Sequence, residues 1–426
     1  MLIDSLTFVL EKSGALDDFW GKLDAGTDAT LGVASSARPF LASAQFSRSP
    51  RPTLVVVAGE DAAIVFARNM AAYLGEDRVL LFPERADTPF SPKTPDARKV
   101  ARRMEAAFSL ACGRPRVVVA SARALIRMIP PKDSLVAAPL VFETGVELAD
   151  TAREGEAALP SAVRERCCVE SFEDVARALE DRGYANTGEL DGPGTFAVHG
   201  GTIDVFPGNL TYPVRIDFFG DEVDEIRRIV PSTGQTISPL SRVEIYPVRE
   251  YSCSAETIAR ARRKIAAPAK SNAVLRDMLE KLDGGLRFEG ADALLPYLYD
   301  KSVTLGAWAG PDTMMCLIEP RSLFDDATHA YEEIEARAKG TKIPVVGLYA
   351  GPTALDFGGG VRATYVSIMR VGGTIDVELP VKRVEVAGHP DKLFGRLVNL
   401  VEGGNTVALC ASEPRARHDI ELALVD

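Results

Sequence analysis

The segment GTFAVHGGTIDVFPGNLTYPVRIDFFGDEVDEIR, residues 194–227, contains residue types that recognise other proteins. Along the strand-like run VRIDFF, alternation directs Arg215, Asp217 and Phe219 to one face of a sheet. An aromatic ring beside a guanidinium is typical of the residues that dominate protein–protein binding. We therefore expect this face to bind another protein. The alternative is that a loop of the same chain covers Phe219.

The same alternation divides the strand residues of this segment between two faces. One face is apolar and consists of Phe196, Val198, Ile203, Val205, Val214, Ile216 and Phe218. The opposite face mixes polar, charged and aromatic side chains, and we call it the mixed face: Ala197, His199, Asp204, Arg215, Asp217 and Phe219. We expect the apolar face to pack on a core and the mixed face to point into solvent.

A second candidate site follows the first strand-like run, where Gly32 begins the loop GVASSARPF. An α/β nucleotide-binding fold has G-x-x-x-x-G-K-S/T here, and its second glycine, lysine and hydroxyl bind the phosphates and Mg²⁺. In this chain Ala37, Arg38 and Pro39 occupy those three places. Proline supplies neither a hydroxyl nor an N–H, so we expect a degenerate loop that binds no nucleotide. The alternative is an ordinary loop with a chance glycine.

The amino-acid composition indicates a soluble globular protein and argues against several kinds of partner and site. The chain has 426 residues, of which 46% are hydrophobic and 26% charged, as in a soluble globular protein with several domains. Its net charge of −11 disfavours nucleic acid as the main partner. Because we find no secretion signal and no long apolar stretch, we expect a cytoplasmic location without membrane contact. Six cysteines without C-x-x-C or metal-ligand spacing predict neither a metal site nor a disulfide.

Basic residues are concentrated in one part of the sequence: Arg98, Lys99, Arg102, Arg103, Arg114, Arg116, Arg123 and Arg127. Charge runs on helices usually form solvated faces, and we interpret this segment in that way. Contact with DNA is the alternative.

The elements that must position these residues follow a regular order. From Thr53 the strand-like runs TLVVVAG, RVLLF and RVVVAS alternate with helical segments near 61–74 and 96–111. This alternation predicts an α/β fold, a parallel sheet flanked by helices. The glycine-rich segment 345–375 is interpreted as a linker or an irregular edge.

A change of pattern near residue 135 predicts a small inserted α+β domain of antiparallel strands. Its helix is marked by Ser171 and Asp174, which we expect to form a capping box, and by Gly183, which can end it. Because the sequence stops as a new α/β unit begins, we expect the natural chain to continue beyond Asp426.

Several segments resemble a known family. GTFAVHGGTIDVFP and PVRIDFFGDEVDEIR resemble the UvrA-binding domain that is shared by the excision-repair subunit UvrB and the bacterial transcription-repair coupling factors (Mfd). GVASSARPF looks like a decayed copy of the UvrB nucleotide loop, and VLLFPERADTPFSP and FEGADALLPYLYDKSVTLGAW also agree. Three departures from UvrB favour the coupling factor: the broken loop, the lack of an aromatic-rich hairpin after Pro83, and the lack of helicase motifs up to residue 426.

The resemblance implies four domains. Residues 1–135 would form a UvrB-like domain 1a, related to P-loop NTPases, with the degenerate loop. Residues 136–225 would form the UvrA-binding domain 2, residues 226–375 domain 1b, and residues 376–426 the start of a third domain.

The resemblance also implies which residues contact UvrA. Arg215 matches the family arginine, Phe219 the aromatic position, and Asp217 the acidic position between them. His199 stands where the family usually has arginine, which would make contact with an acidic patch weaker or pH-dependent. Arg227 is expected at the rim of the same face.

The implied function is that of a non-catalytic module that recruits UvrA and carries no cofactor of its own. In the full-length family protein, a motor that uses ATP and Mg moves on double-stranded DNA and removes stalled RNA polymerase, and a C-terminal domain masks the UvrA-binding face. One alternative is a UvrB-like ATPase or helicase-like DNA-damage-binding protein in which Arg38 replaces the lysine. Another is a scaffold that keeps the motor inactive.

Overall fold

The structure is a computed structural model that describes residues 2–90, 95–151, 165–283, 288, 290–367, 375–379, 390–404, 407, 409 and 414–423. The chain forms two compact units, Met1–Leu379 and Pro380–Asp426.

The described helices and strands have the following bounds. The helices are α1 (Leu2–Lys12), α2 (Asp17–Asp24), α3 (Arg38–Arg48), α4 (Glu60–Leu74), α5 (Ala97–Ala111), α6 (Ala122–Ile126), α7 (Phe172–Asp181), α8 (Ala255–Ile265), α9 (Ala273–Asp283), α10 (Leu295–Leu298), α11 (Pro320–Ala338), α12 (Pro390–Glu402) and α13 (Pro414–Ala423). The strands are β1 (Ala29–Gly32), β2 (Thr53–Val57), β3 (Val79–Phe82), β4 (Val117–Ser121), β5 (Leu140–Glu143), β6 (Ala185–Asn186), β7 (Thr195–His199), β8 (Thr202–Phe206), β9 (Val214–Phe219), β10 (Glu222–Ile229), β11 (Thr236–Leu240), β12 (Arg242–Ile245), β13 (Met314–Ile318), β14 (Arg362–Val366) and β15 (Val377–Glu378).

A seven-stranded parallel sheet organises the first unit, in the order β15-β1-β14-β13-β2-β4-β3. Every residue of β2 is buried. Leu54 and Val56 lie in one hydrophobic core and Val55 and Val57 in another, because successive side chains point to opposite faces. Helices cover both faces, as all-parallel sheets require. The predicted α/β fold is confirmed.

The strand β14 corrects the interpretation of the glycine-rich segment as a linker or irregular edge. Arg362–Val366 lies inside the sheet, between β1 and β13. The glycines that precede it allow two backbone segments to touch: a Cβ on Gly358, where φ is +65°, would lie 1.8 Å from the Gly306 carbonyl oxygen. Glycine here therefore marks close packing rather than a loose connection.

A second sheet of six strands has the order β11-β10-β9-β8-β7-β6. Its pairings are antiparallel except that of β6 with β7. One face packs on α7 and on the two-stranded ribbon β5–β12 and forms a third core. This sheet confirms the predicted inserted α+β element of antiparallel strands, and the domain boundaries stay predictions.

The second unit contains α12 and α13 among its described residues. In the part of the chain that the structure describes, no helix is long and apolar enough to cross a membrane.

Candidate protein interface

Strand register places the residues of the mixed face in rows across the sheet. In one row Asp204 of β8 lies opposite Arg215 of β9, which lies opposite Arg227 of β10. In the next row Asp217 lies between Thr202 and Glu225. The residues of the apolar face point the other way, into the third core. The predicted division of the segment into two faces is therefore confirmed, but Ala197 and Asp204 of the mixed face are buried and do not point into solvent.

Phe219 lies at the end of β9 and is 83% exposed. No described loop covers the ring, so the alternative of a capped aromatic is wrong for the part of the chain that the structure describes. Burial of a phenylalanine ring against a partner removes a large apolar surface from water and so contributes much binding free energy. We therefore expect Phe219 to anchor a binding partner.

The β9–β10 hairpin that carries Phe219 is held by hydrogen bonds and ring packing to the segments around Leu148 and Phe172. The carboxylate Oδ1 of Asp221 accepts a hydrogen bond from the Phe172 N–H at 2.8 Å, and the Asp221 carbonyl accepts one from the Leu148 N–H at 2.9 Å. The rings of Phe172 and Phe218 also pack edge to face, 5.1 Å apart. The ring of Phe219 thus extends from a fixed tip, which lowers the entropy that binding would cost.

The same contacts correct the predicted capping box. Ser171 does precede α7, but its hydroxyl donates to the Asp174 carboxylate at 2.9 Å and accepts no N–H of the first turn. Asp221 of the hairpin instead accepts the Phe172 N–H. The hydrogen bond to Asp221, which lies in another element, thus takes the place of the predicted bond to the Ser171 side chain at the start of α7.

Arg215 of the mixed face and Arg227 beside it are already paired with carboxylates. Arg215 donates from Nε and Nη2 to the two oxygens of Asp204, both at 2.7 Å. These hydrogen bonds raise the pKa of Arg215 above its ordinary value. Arg227 donates to Asp217, and its Nε lies 3.3 Å from a Glu225 oxygen. The paired positive and negative charges therefore fix each other's orientation. Because they largely neutralise each other, shape and hydrogen bonds must provide much of the specificity for a binding partner.

His199 ends β7 and is exposed, opposite Thr202. The structure thus brings all five predicted residues, His199, Arg215, Asp217, Phe219 and Arg227, onto one side of one sheet. Their contact with UvrA stays a prediction. The sequence pattern places Asp204 on the mixed face but does not predict its pairing with Arg215, because that pairing depends on the register of two strands.

The degenerate loop has the backbone order expected of a nucleotide site: Gly32 ends β1 and Arg38 begins α3. Arg38 is only 5% exposed. Its Nη2 donates to the Glu319 carboxylate at 2.6 Å and to the Ser367 hydroxyl at 2.9 Å. Burial opposes ionisation of Glu319, but hydrogen bonds from Ser367 and Arg38 lower its pKa overall. Nη2 of the guanidinium is therefore bonded to protein groups, whereas the buried Nε has no hydrogen-bond partner among the described residues.

Comparison with known proteins agrees with this geometry. A family model described as the UvrB interaction domain matches residues 170–251, which contain every predicted contact residue. The transcription-repair-coupling factor of Myxococcus xanthus is 29% identical over 72% of this chain and 25% of its own length. That of Bacillus subtilis is 25% identical over 68% of this chain and 24% of its own length. The chain is a homologue of the transcription-repair-coupling factors. It spans about a quarter of the length of these curated relatives.

UvrB proteins match a shorter part of this coupling-factor homologue. UvrABC system protein B of Gemmatimonas aurantiaca is 38% identical over 89 residues, which are 21% of this chain and 13% of the relative. The local identity is higher than that to the coupling factors, but the coupling factors match far more of the chain. The expected resemblance to the coupling factors is confirmed.

The coupling-factor homologue also contains a buried ion cluster that sequence reasoning missed. Its members are three arginines and three carboxylates: Arg85, Arg103, Arg127, Asp87, Glu250 and Asp292. Arg85 lies 2.9 Å from Glu250, and Arg127 lies 3.0 Å from Asp292. The interpretation of the basic segment as a solvated face is thus wrong for Arg103 and Arg127, which are buried. No pattern in the sequence pointed to their partners.

Proposed function

We propose that residues 170–251 bind UvrA and that the chain recruits excision repair as part of a longer coupling factor. The observation that carries the proposal is the ring of Phe219, 83% exposed beside Arg215 and Asp217, within the segment that matches the UvrB interaction domain. The mixed face makes no bond and breaks none in this proposal. Its chemistry is that of an aromatic anchor surrounded by oriented charges.

For the longer protein, the proposed role rests on the relatives of this chain. Their name, transcription-repair-coupling factor, supports a role between transcription and repair. We propose that the longer protein removes stalled RNA polymerase with an ATP- and Mg-dependent motor that moves on double-stranded DNA. We also propose that its C-terminal domain masks the mixed face until UvrA is needed.

We further propose that this chain needs no cofactor and that its degenerate loop binds no nucleotide. Support comes from the guanidinium of Arg38, which is bonded to Glu319 and Ser367 and would have to be displaced by a phosphate. Calorimetric titration of the chain with ADP or ATP and Mg²⁺ should give no heat of binding. Saturable binding that disappears in an Arg38→Ala variant would contradict this proposal and favour the ATPase alternative.

Direct binding tests the proposed function. Calorimetric titration of UvrA with this chain should give a saturable one-site isotherm, because the anchor and its charges are preformed. UvrB should compete for the same site, since UvrB proteins match this part of the sequence. Saturable binding with competition supports the proposal. A flat isotherm with UvrA that binds UvrB normally would refute it.

A further inference from the structure

We propose that Asp204 is a positioning residue, whose buried carboxylate holds the Arg215 guanidinium in the orientation that binds UvrA. This inference rests on the proposed function. Asp204 is only 6% exposed although it lies on the mixed face. A partner therefore has little direct access to the carboxylate, and any effect of Asp204 on binding must pass through the side chain that it holds.

The geometry of the pair leaves one edge of Arg215 available. Nε and Nη2 each donate to an Asp204 oxygen at 2.7 Å, which uses the inner edge of the guanidinium. Nη1 has no acceptor among the described residues, and the Arg215 side chain is 31% exposed. Five N–H groups in a fixed fork allow one carboxylate to orient the group while the remaining donors meet a second acceptor.

Asp204 also keeps the Arg215 side chain from pairing with Asp217 instead. Asp217 lies two residues along β9 from Arg215 on the same face, and it is the other acid that acts on Arg215 electrostatically. Asp217 already accepts hydrogen bonds from Thr202 and Arg227. Without Asp204, the long Arg215 side chain would move among solvent and Asp217, and UvrA would have to order it on binding.

A double-mutant cycle tests this inference. Asp204→Asn keeps the shape of the side chain but removes its charge and one acceptor oxygen. In an otherwise wild-type chain we expect Asp204→Asn to weaken calorimetric binding of UvrA by about tenfold. In an Arg215→Ala background the same substitution should change the affinity by less than about twofold. Glu173→Gln, an exposed acid on α7, serves as the matched control and should leave the affinity unchanged.

The possible results separate this inference from the proposed function. Equal loss in both backgrounds would mean that Asp204 only stabilises the sheet, and no loss in either would mean that Arg215 does not need it; each result overturns the inference alone. Urea unfolding of every variant identifies losses that come from destabilisation. If the wild-type chain does not bind UvrA, the proposed function fails and this inference fails with it.

Discussion

Replacement of Glu250 by alanine is expected to lower the free energy of unfolding by about 3–5 kcal/mol. Glu250 accepts hydrogen bonds from Arg103 and Arg85, and its Oε2 lies 4.0 Å from Arg127 Nε. Removal of the carboxylate leaves three buried guanidinium groups with too few acceptors. Burial of unpaired charge is among the most destabilising single changes in proteins.

Glu250 also connects distant parts of the chain. It follows β12, where the chain returns from the inserted sheet, whereas Arg103 lies on α5 and Arg85 follows β3. Loss of Glu250 should therefore loosen the junction between the two sheets as well as the local structure. Equilibrium urea unfolding measures the effect. The control is Glu256→Ala, which breaks a surface pair with Arg260 and should cost less than about 1 kcal/mol.

The acid dependence of stability provides an independent check. Burial alone would raise the pKa of Glu250, but Arg103, Arg85 and Arg127 lower it from the ordinary 4.5 to about 2. A lowered folded-state pKa contributes stability above pH 4.5, and this contribution is lost as the pH falls from 4.5 towards 2. The difference in stability between wild type and Glu250→Gln should shrink over that range. A difference independent of pH would contradict the assignment of a charged Glu250.

The double variant Arg215→Ala, Phe219→Ala is expected to bind UvrA more weakly by about 2 kcal/mol or more, roughly thirtyfold. The exposed ring of Phe219 contributes little to folding, so its loss should appear in affinity and not in stability. Calorimetry with UvrA measures the affinity. Urea unfolding measures the stability, and we expect any loss there to come from Arg215, because its removal leaves the buried Asp204 carboxylate without its partner.

A matched control for that variant is Val346→Ala. Val346 is also strongly exposed, but it lies outside the inserted sheet, in the segment before Leu348. Its truncation should leave UvrA binding unchanged. Full-strength binding by the double variant would reject the mixed face as the interface, whereas equal weakening by Val346→Ala would show that the loss is not specific to this face.

The mixed face could be predicted from the sequence because its pattern is local. Alternation along VRIDFF depends only on the extended backbone, so Arg215, Asp217 and Phe219 had to share a side wherever the strand lay. The degenerate loop was equally readable, because Pro39 lacks an N–H and a hydroxyl in any fold.

Tertiary structure decided the features that depend on distant partners. Arg103 and Glu250 are 147 residues apart in the chain, and Phe172 and Asp221 are 49 apart. A basic run looks the same in sequence whether its arginines meet water or buried carboxylates, and Ser171 looks the same with or without a competing acceptor. Local composition sets which side chains a strand or helix can present. Only the packing of the whole chain determines which of them are exposed, and so which remain free to bind a partner.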